Sequence, residues 1–427
     1  MRRTLNLWTK CTVLTLAVLP SAQAAPALPL TLPNLIWQAT DGGEGGESGA
    51  LPESYRLRLD PASMPKYDAS AVQESYVALA LARYAKAAAT SEALNLAIHE
   101  LLEKPEQASL DRARKAWSSA HAAYLTTEVF RYYGSPIDAA KSAEVRAGPE
   151  PQINAWPLNE AAIDYVKGNA KAGLVNELKT PITRQNILKR DQVSDEADVT
   201  TGFHALEFLL WGQDLSADTA GQRPASDFVA GKAANERRRA YLKELGLMLS
   251  EDLRFVVKEW DPIRQVSFGR TFVALDGYEA VGRILRGMAM LVGEELASER
   301  LSVALDSQSQ EDEASCFSDT THLDFQANLD GVYSAWRGEL NGVEAASVRS
   351  LLSKVNPVSA KAVDDALRTA MDAAKALDAP FDQTLNSPPD DPRRIRAESL
   401  VSALQALTKA FKQAGRDLAV LVSVPGV

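Results

Sequence analysis

Histidine and cysteine are scarce in this chain: its 427 residues include four of the first and two of the second. Cys11 stands just ahead of an N-terminal apolar stretch, so an exported, processed form would keep Cys316 alone. One thiol cannot close an internal disulfide, and stability has to come from packing. The sequence also lacks a CxxC pair, a c-type haem motif, a Walker phosphate loop and a G-x-S-x-G elbow. Those absences remove the commonest redox, nucleotide and serine-hydrolase readings. Positive charge is in deficit as well, with 46 Lys and Arg against 56 Asp and Glu, a formal net charge of -10 and a pI near 5.2. A nucleic-acid partner would want a basic face, so none is expected.

The first residues read as an export signal. Arg2, Arg3 and Lys10 precede a short apolar core, "CTVLTLAVL", and "SAQA" then sets small residues at Ala22 and Ala24. This order of features marks a signal peptide, residues 1–24, cleaved near Ala24. The apolar run falls short of the roughly 20 residues a membrane span needs, and the mature chain is expected to have no transmembrane segment. Cys11 precedes the apolar stretch instead of following it, so it does not read as a lipoprotein cysteine. Residues 25–66, with glycines concentrated in 42–49, read as a flexible tether.

From residue 67 the pattern turns helical. Long Ala-, Leu-, Glu- and Lys-rich segments cover 69–103, 109–133, 201–211, 233–260, 270–305, 322–340, 359–377 and 392–422. Short linkers such as "KPEQASLD" and "NPVSAK" hold the Gly, Pro and cap residues between them. Long helices joined by short turns favour antiparallel neighbours, which predicts an all-α protein of packed helical bundles. A break at Asp261-Pro262 divides it into two halves, 67–261 and 262–427.

The residues with chemical potential start in "TGFHALEFLLWGQD". His204 and Glu207 stand at i and i+3, so on a helix their side chains share a face and could bind a metal together. Thr200 or Thr201 is expected to cap this helix and Gly212 to end it. A zincin needs H-E-x-x-H, and Ala205 and Phe208 stand where its glutamate and second histidine belong. Further ligands have to come from other helices. In "KAWSSAHAAYLTTEVFRYYG", residues Trp117, His121, Tyr124 and Glu128 repeat at helical spacing. In "NAWPLNEAAIDYV", Glu160 and Asp164 are expected one turn apart, presenting two carboxylates together. In "SCFSDTTHLD", Ser318 or Asp319 is expected to cap the next helix, with Asp319 and His322 near its positive end. Taken singly, each of these groups also fits a buried hydrogen-bond anchor or a cap.

Together, the stretches resemble the imelysin family, also called the M75 peptidase family. "GFHALE" is similar to its G-x-H-x-x-E signature, and "INAWPLNEAAIDYV" to its W-P-L-D-E-x-x-I-D-Y segment. "QEDEASCFSDTTHLD" resembles its E-D-E-H-S-C-F-S-D-N-T-H segment, and "TTEVFR" its T-E-x-F-R helix. The resemblance implies two bundle-like domains, export to the periplasm or attachment at the outer membrane, and a site at the domain interface. It also implies an association with iron acquisition, together with an older metallopeptidase label. Gly202, His204 and Glu207 match the signature in full. Asn159, Ala314 and Thr320 replace an aspartate, a histidine and an asparagine, which puts ligand number and site charge in question.

Three functions follow as expectations. The first is an exported metal-binding protein serving iron uptake beside a component of the cell envelope. Its metal ligands would be His204, Glu207 and Glu128, in a pocket with Gly202, Trp156, Glu160, Asp164, Asp319 and His322. Its ion would be divalent or trivalent, iron before zinc, since mixed imidazole and carboxylate donors suit both. The second is an M75-type metallopeptidase, whose catalytic centre the motif leaves incomplete. The third is a ligand-binding or interaction protein without metal.

Overall fold

The computed structural model describes residues 52, 54–60, 62–141 and 146–426. The expected signal peptide and the glycine-rich part of the tether lie outside these residues. Among those described, the architecture is all-α, with a single two-residue hairpin, Glu339–Leu340 with Val343–Glu344. The long helices are α1 (Ser70–Glu103), α2 (Gln107–Leu125), α3 (Gly202–Trp211), α4 (Ala233–Trp260), α5 (Gly277–Met290), α6 (Thr321–Arg337), α7 (Pro357–Lys375) and α8 (Pro392–Asp417). Helix α5 runs on into a wider π-helical stretch, Leu291–Ser302. None of these helices is long and apolar enough to cross a membrane.

Helix α1 packs on α2 and α4, and α3 lies against both α2 and α4. Further along the chain, α7 packs on α8, and α6 bridges α2 and α7. All ten residues of α3 are buried. A helix apolar on every face belongs in a core, and that is where this one sits.

Several boundaries move from their expected places for local reasons. Helix α2 stops at Leu125, well before residue 133, because the Thr126 and Thr127 hydroxyls donate back to the carbonyls of Ala123 and Tyr124. Glu128–Phe130 then forms a 3-10 turn. The expected 270–305 helix is interrupted at Ala274–Asp276, where Asp276 accepts from the Tyr278 and Glu279 amides and starts α5 afresh. The last part of the expected tether is docked. Tyr55 is 2% exposed, the Leu57 amide donates to Ala419, and the Leu421 amide donates to Tyr55. Gly282 makes room for it, since a Cβ there would stand 2.3 Å from that of Tyr55.

Candidate functional site

Gly202 opens α3 with φ +79°, and a Cβ there would lie 2.4 Å from the Ile153 carbonyl oxygen. Only glycine meets both demands. The Trp117 indole donates to the Phe203 carbonyl at 2.8 Å, and Gly212 ends the helix at φ +75°. Thr201 takes the N-cap position as expected, but without a side-chain cap bond, because the Thr200 and Thr201 hydroxyls turn to Asp191.

His204 and Glu207 do meet, with Nδ1 and Oε2 3.0 Å apart, both buried. The other carboxylate oxygen, Oε1, accepts from the Ser318 amide at 2.9 Å and the Ser318 hydroxyl at 2.7 Å. Both oxygens are therefore committed to protein donors, and Glu207 orients the imidazole instead of sharing an ion with it. A hydrogen-bonded carboxylate in this position is how a metal-binding histidine is commonly held from behind. Burial pushes the Glu207 carboxyl up to about 8, against the pull of Ser318. Burial also pushes the His204 imidazole down to about 3, with the Arg300 cation adding to it. The ring is neutral at physiological pH, as a metal ligand must be.

With Nδ1 engaged by Glu207, Nε2 is the other ring nitrogen, and it carries a free lone pair when Glu207 is ionised and accepts the Nδ1 proton. His204 lines a narrow cleft together with Trp156, Pro157, Glu311, Glu313 and Cys316. The cleft has room for about one water-sized particle. Ala314 also lines it, so the histidine usual there in the family would have faced the same space. His121 packs edge-on against His204, ring centroids 5.3 Å apart, and is itself held by Asn154 at 3.0 Å and Asp324 at 3.5 Å.

Glu128 does not complete a ligand set. Arg300 Nη2 lies 3.0 Å from both of its oxygens, with Arg131 at 3.2 Å and Asn328 at 2.7 Å. Burial would raise its pKa, but the Arg300 and Arg131 charges outweigh that and hold it below the usual value. Glu128 is the buried counter-ion of two arginines. Glu160 and Asp164 likewise separate, because the short helix ends at Ile163 and Asp164 is extended. Asp164 receives Arg223 at 2.9 Å and Arg238 at 2.6 Å, whereas Glu160 accepts from Gln213. Asn159 is an exposed helix cap accepting from the Ala161 amide. Neither Ser318 nor Asp319 caps α6, whose first flanking residue is Thr320. The Thr320 hydroxyl instead meets that of Ser318 at 2.8 Å. Asp319 stands with Asp214 and Asp382, and His322 is half-buried with Nδ1 unpartnered.

Sequence reasoning missed Ser318 as the partner of Glu207, Arg300 as the partner of Glu128, and Glu311 and Glu313 as cleft residues. The acidic run "QEDE" held the signal for the last two. Nothing local marks Arg300.

The imelysin (peptidase M75) profile matches residues 80–411. Iron-regulated protein A of Synechococcus elongatus is 25% identical over 331 residues, covering 75% of this chain and 79% of that protein. An iron-regulated protein A precursor from Parabacteroides distasonis superposes with a TM-score of 0.61 at 16% identity, over 85% of this chain and 98% of the other. An imelysin-like protein from Psychrobacter arcticum gives 0.57 at 16% identity, over 84% and 99%. These two structures share the fold, and with a profile match across most of its length the chain belongs to the imelysin family.

Proposed function

We propose that this protein is exported and serves iron uptake in the periplasm or at the outer membrane, taking a metal ion as cargo at the His204 cleft. One observation carries the reading: Glu207, braced by Ser318, holds Nδ1 so that the neutral imidazole turns its other nitrogen toward a cleft with room for a single ion. Glu311 and Glu313 line the same cleft, and Glu311 is its carboxylate donor. Imidazole plus carboxylate suits iron, with zinc as the competing ion. His204 belongs to the 67–261 half and the two glutamates to the 262–427 half, which supports a site at the meeting of two domains. The iron-regulated name of the Synechococcus relative agrees with this assignment.

The test is metal content by mass spectrometry, after anaerobic incubation with Fe(II) and separately with Zn(II). Near-stoichiometric metal in wild type, lost in a folded His204→Ala variant, is the expected result. Equal, negligible metal in both proteins would overturn the reading.

A further inference from the structure

Asp214, Asp319 and Asp382 bring three carboxylate oxygens within 4.8 Å of one another. They arrive from three distant stretches: the turn after α3, the segment before α6, and the short helix Asp382–Leu385 between α7 and α8. Gln310 Nε2 donates to Asp214 at 2.8 Å and reaches Asp382 at 3.4 Å. Carboxylates this close repel, and they persist together only when a proton or a cation sits among them. Burial, and then the neighbouring Asp214 and Asp382 charges, push Asp319 up to about 8.

A separate observation points into the same place. Glu313 is 2% exposed, and neither of its carboxyl oxygens has a hydrogen-bond partner. The charges of Asp382 and Asp319 act on it, so its carboxyl lies near two of the three aspartates. Asp382 is equally buried, and its Oδ1 also lacks a partner. An unpaired buried carboxylate is costly, and the ordinary remedy is a paired charge or a metal. These orphaned oxygens share one small volume.

We propose that Asp214, Asp319, Asp382 and Glu313 form a second cation site, built for a hard divalent ion of calcium size. All its donors are oxygens, which selects calcium, magnesium or manganese over softer metals. Calcium suits it better than magnesium, because calcium accepts a cage of several protein carboxylates whereas magnesium dehydrates reluctantly and keeps its waters. Turning the Gln310 amide over would present its oxygen as a further ligand. The ion would tie three segments together and fix the Asp319 stretch, whose neighbour Ser318 braces Glu207. The site does not depend on the His204 reading.

The test uses mature protein stripped with chelator and titrated with CaCl2, followed by calorimetry and thermal melting. One Ca2+ per chain is expected, with a melting rise of about 3–5 °C at a hundredfold excess over Kd. Asp319→Asn and Asp382→Asn should each weaken Ca2+ binding at least tenfold. Without Ca2+ each should melt no lower than wild type, because each removes a repelled charge. His204→Ala should keep its Ca2+, and Asp382→Asn should keep its iron, so failure at one site is distinguishable from failure at the other. Absence of Ca2+ binding by wild type would overturn the proposal, as would unchanged affinity in both aspartate variants or equal competition by Zn2+.

Discussion

Replacing Glu207 with glutamine tests whether that carboxylate decides which face His204 shows to the cleft. In the wild type, Ser318 gives two hydrogen bonds to Oε1, at 2.9 and 2.7 Å, while Oε2 meets His204 Nδ1 at 3.0 Å. Glutamine fills the same volume, and the two Ser318 donors dictate which end of the amide is oxygen. The NH2 group is then turned to Nδ1, which must accept. A neutral imidazole carries a single N–H, so the proton moves to Nε2 and occupies the position a metal ion needs. Recovering the lone pair on Nε2 would set two buried donors against each other. That mismatch costs about 1–3 kcal/mol. Metal affinity should fall by about tenfold to a hundredfold, the usual range for an altered histidine partner. Calorimetric titration of wild type and Glu207→Gln with Fe(II) under argon would measure it, with near-ultraviolet circular dichroism confirming an unchanged fold. A folded variant that binds within twofold of wild type would refute the argument, since Glu207 would then not set the tautomer.

Glu128 gives a second expectation, because both its arginine partners are buried with it. Glu128→Ala takes the fully buried carboxylate from Arg300, which keeps Glu295, and from Arg131, which keeps Asp138 and Glu150, and should cost about 1–3 kcal/mol, read as a drop in melting temperature. Its folded pKa lies below the unfolded value of 4.5, so its contribution is complete above that pH and is lost as pH falls through the folded value. Wild type should therefore lose stability more steeply than Glu128→Gln in melts taken downward from pH 4.5. Gly202→Ala meets both a positive φ and the Ile153 carbonyl, and the backbone strain alone is worth about 1–3 kcal/mol; a melt within 1 °C of wild type would contradict it. Asp164→Ala should destabilise by about 1–3 kcal/mol, because Arg223 and Arg238 lose their fully buried carboxylate and keep only the partly buried Asp227, yet leave metal per folded chain unchanged in the mass-spectrometric assay.

The helices were legible because their signals are local. The residues 233–260 were read correctly from periodicity, and α1, α6 and α7 shifted by only a few positions. The misread ends were set by distant parts. Gly331 in α6, for example, lets its backbone approach the Thr126 carbonyl, where a Cβ would stand 2.5 Å away, and that approach lies where α2 has already ended. At the site, the contact between His204 and Glu207 follows from a spacing of three on one helix. What occupies the far oxygen of Glu207 does not, because Ser318 lies 111 positions on. Glu128 was misassigned for the same reason: a carboxylate reads as a candidate ligand until Arg300, 172 residues away, is placed on it. Sequence spacing reveals partners on a shared helix, and only the packed fold reveals which charges are already neutralised.

The pairing of Leu57 and Tyr55 with Ala419 and Leu421 bears on how the molecule is finished. A chain made from its N-terminal end can set Tyr55 against Glu279 and Gly282 first, and gains the backbone pairing only once residues 419–421 have appeared. Closing so long a loop costs little more than closing one half its length, since the entropy grows only with the logarithm of length. The seam is therefore set late in synthesis but carries no large thermodynamic penalty. A product cut short by a few residues would lack the strip that Tyr55 docks against. Its leading segment would keep only the docking at Glu279 and Gly282 and would be more open to a protease.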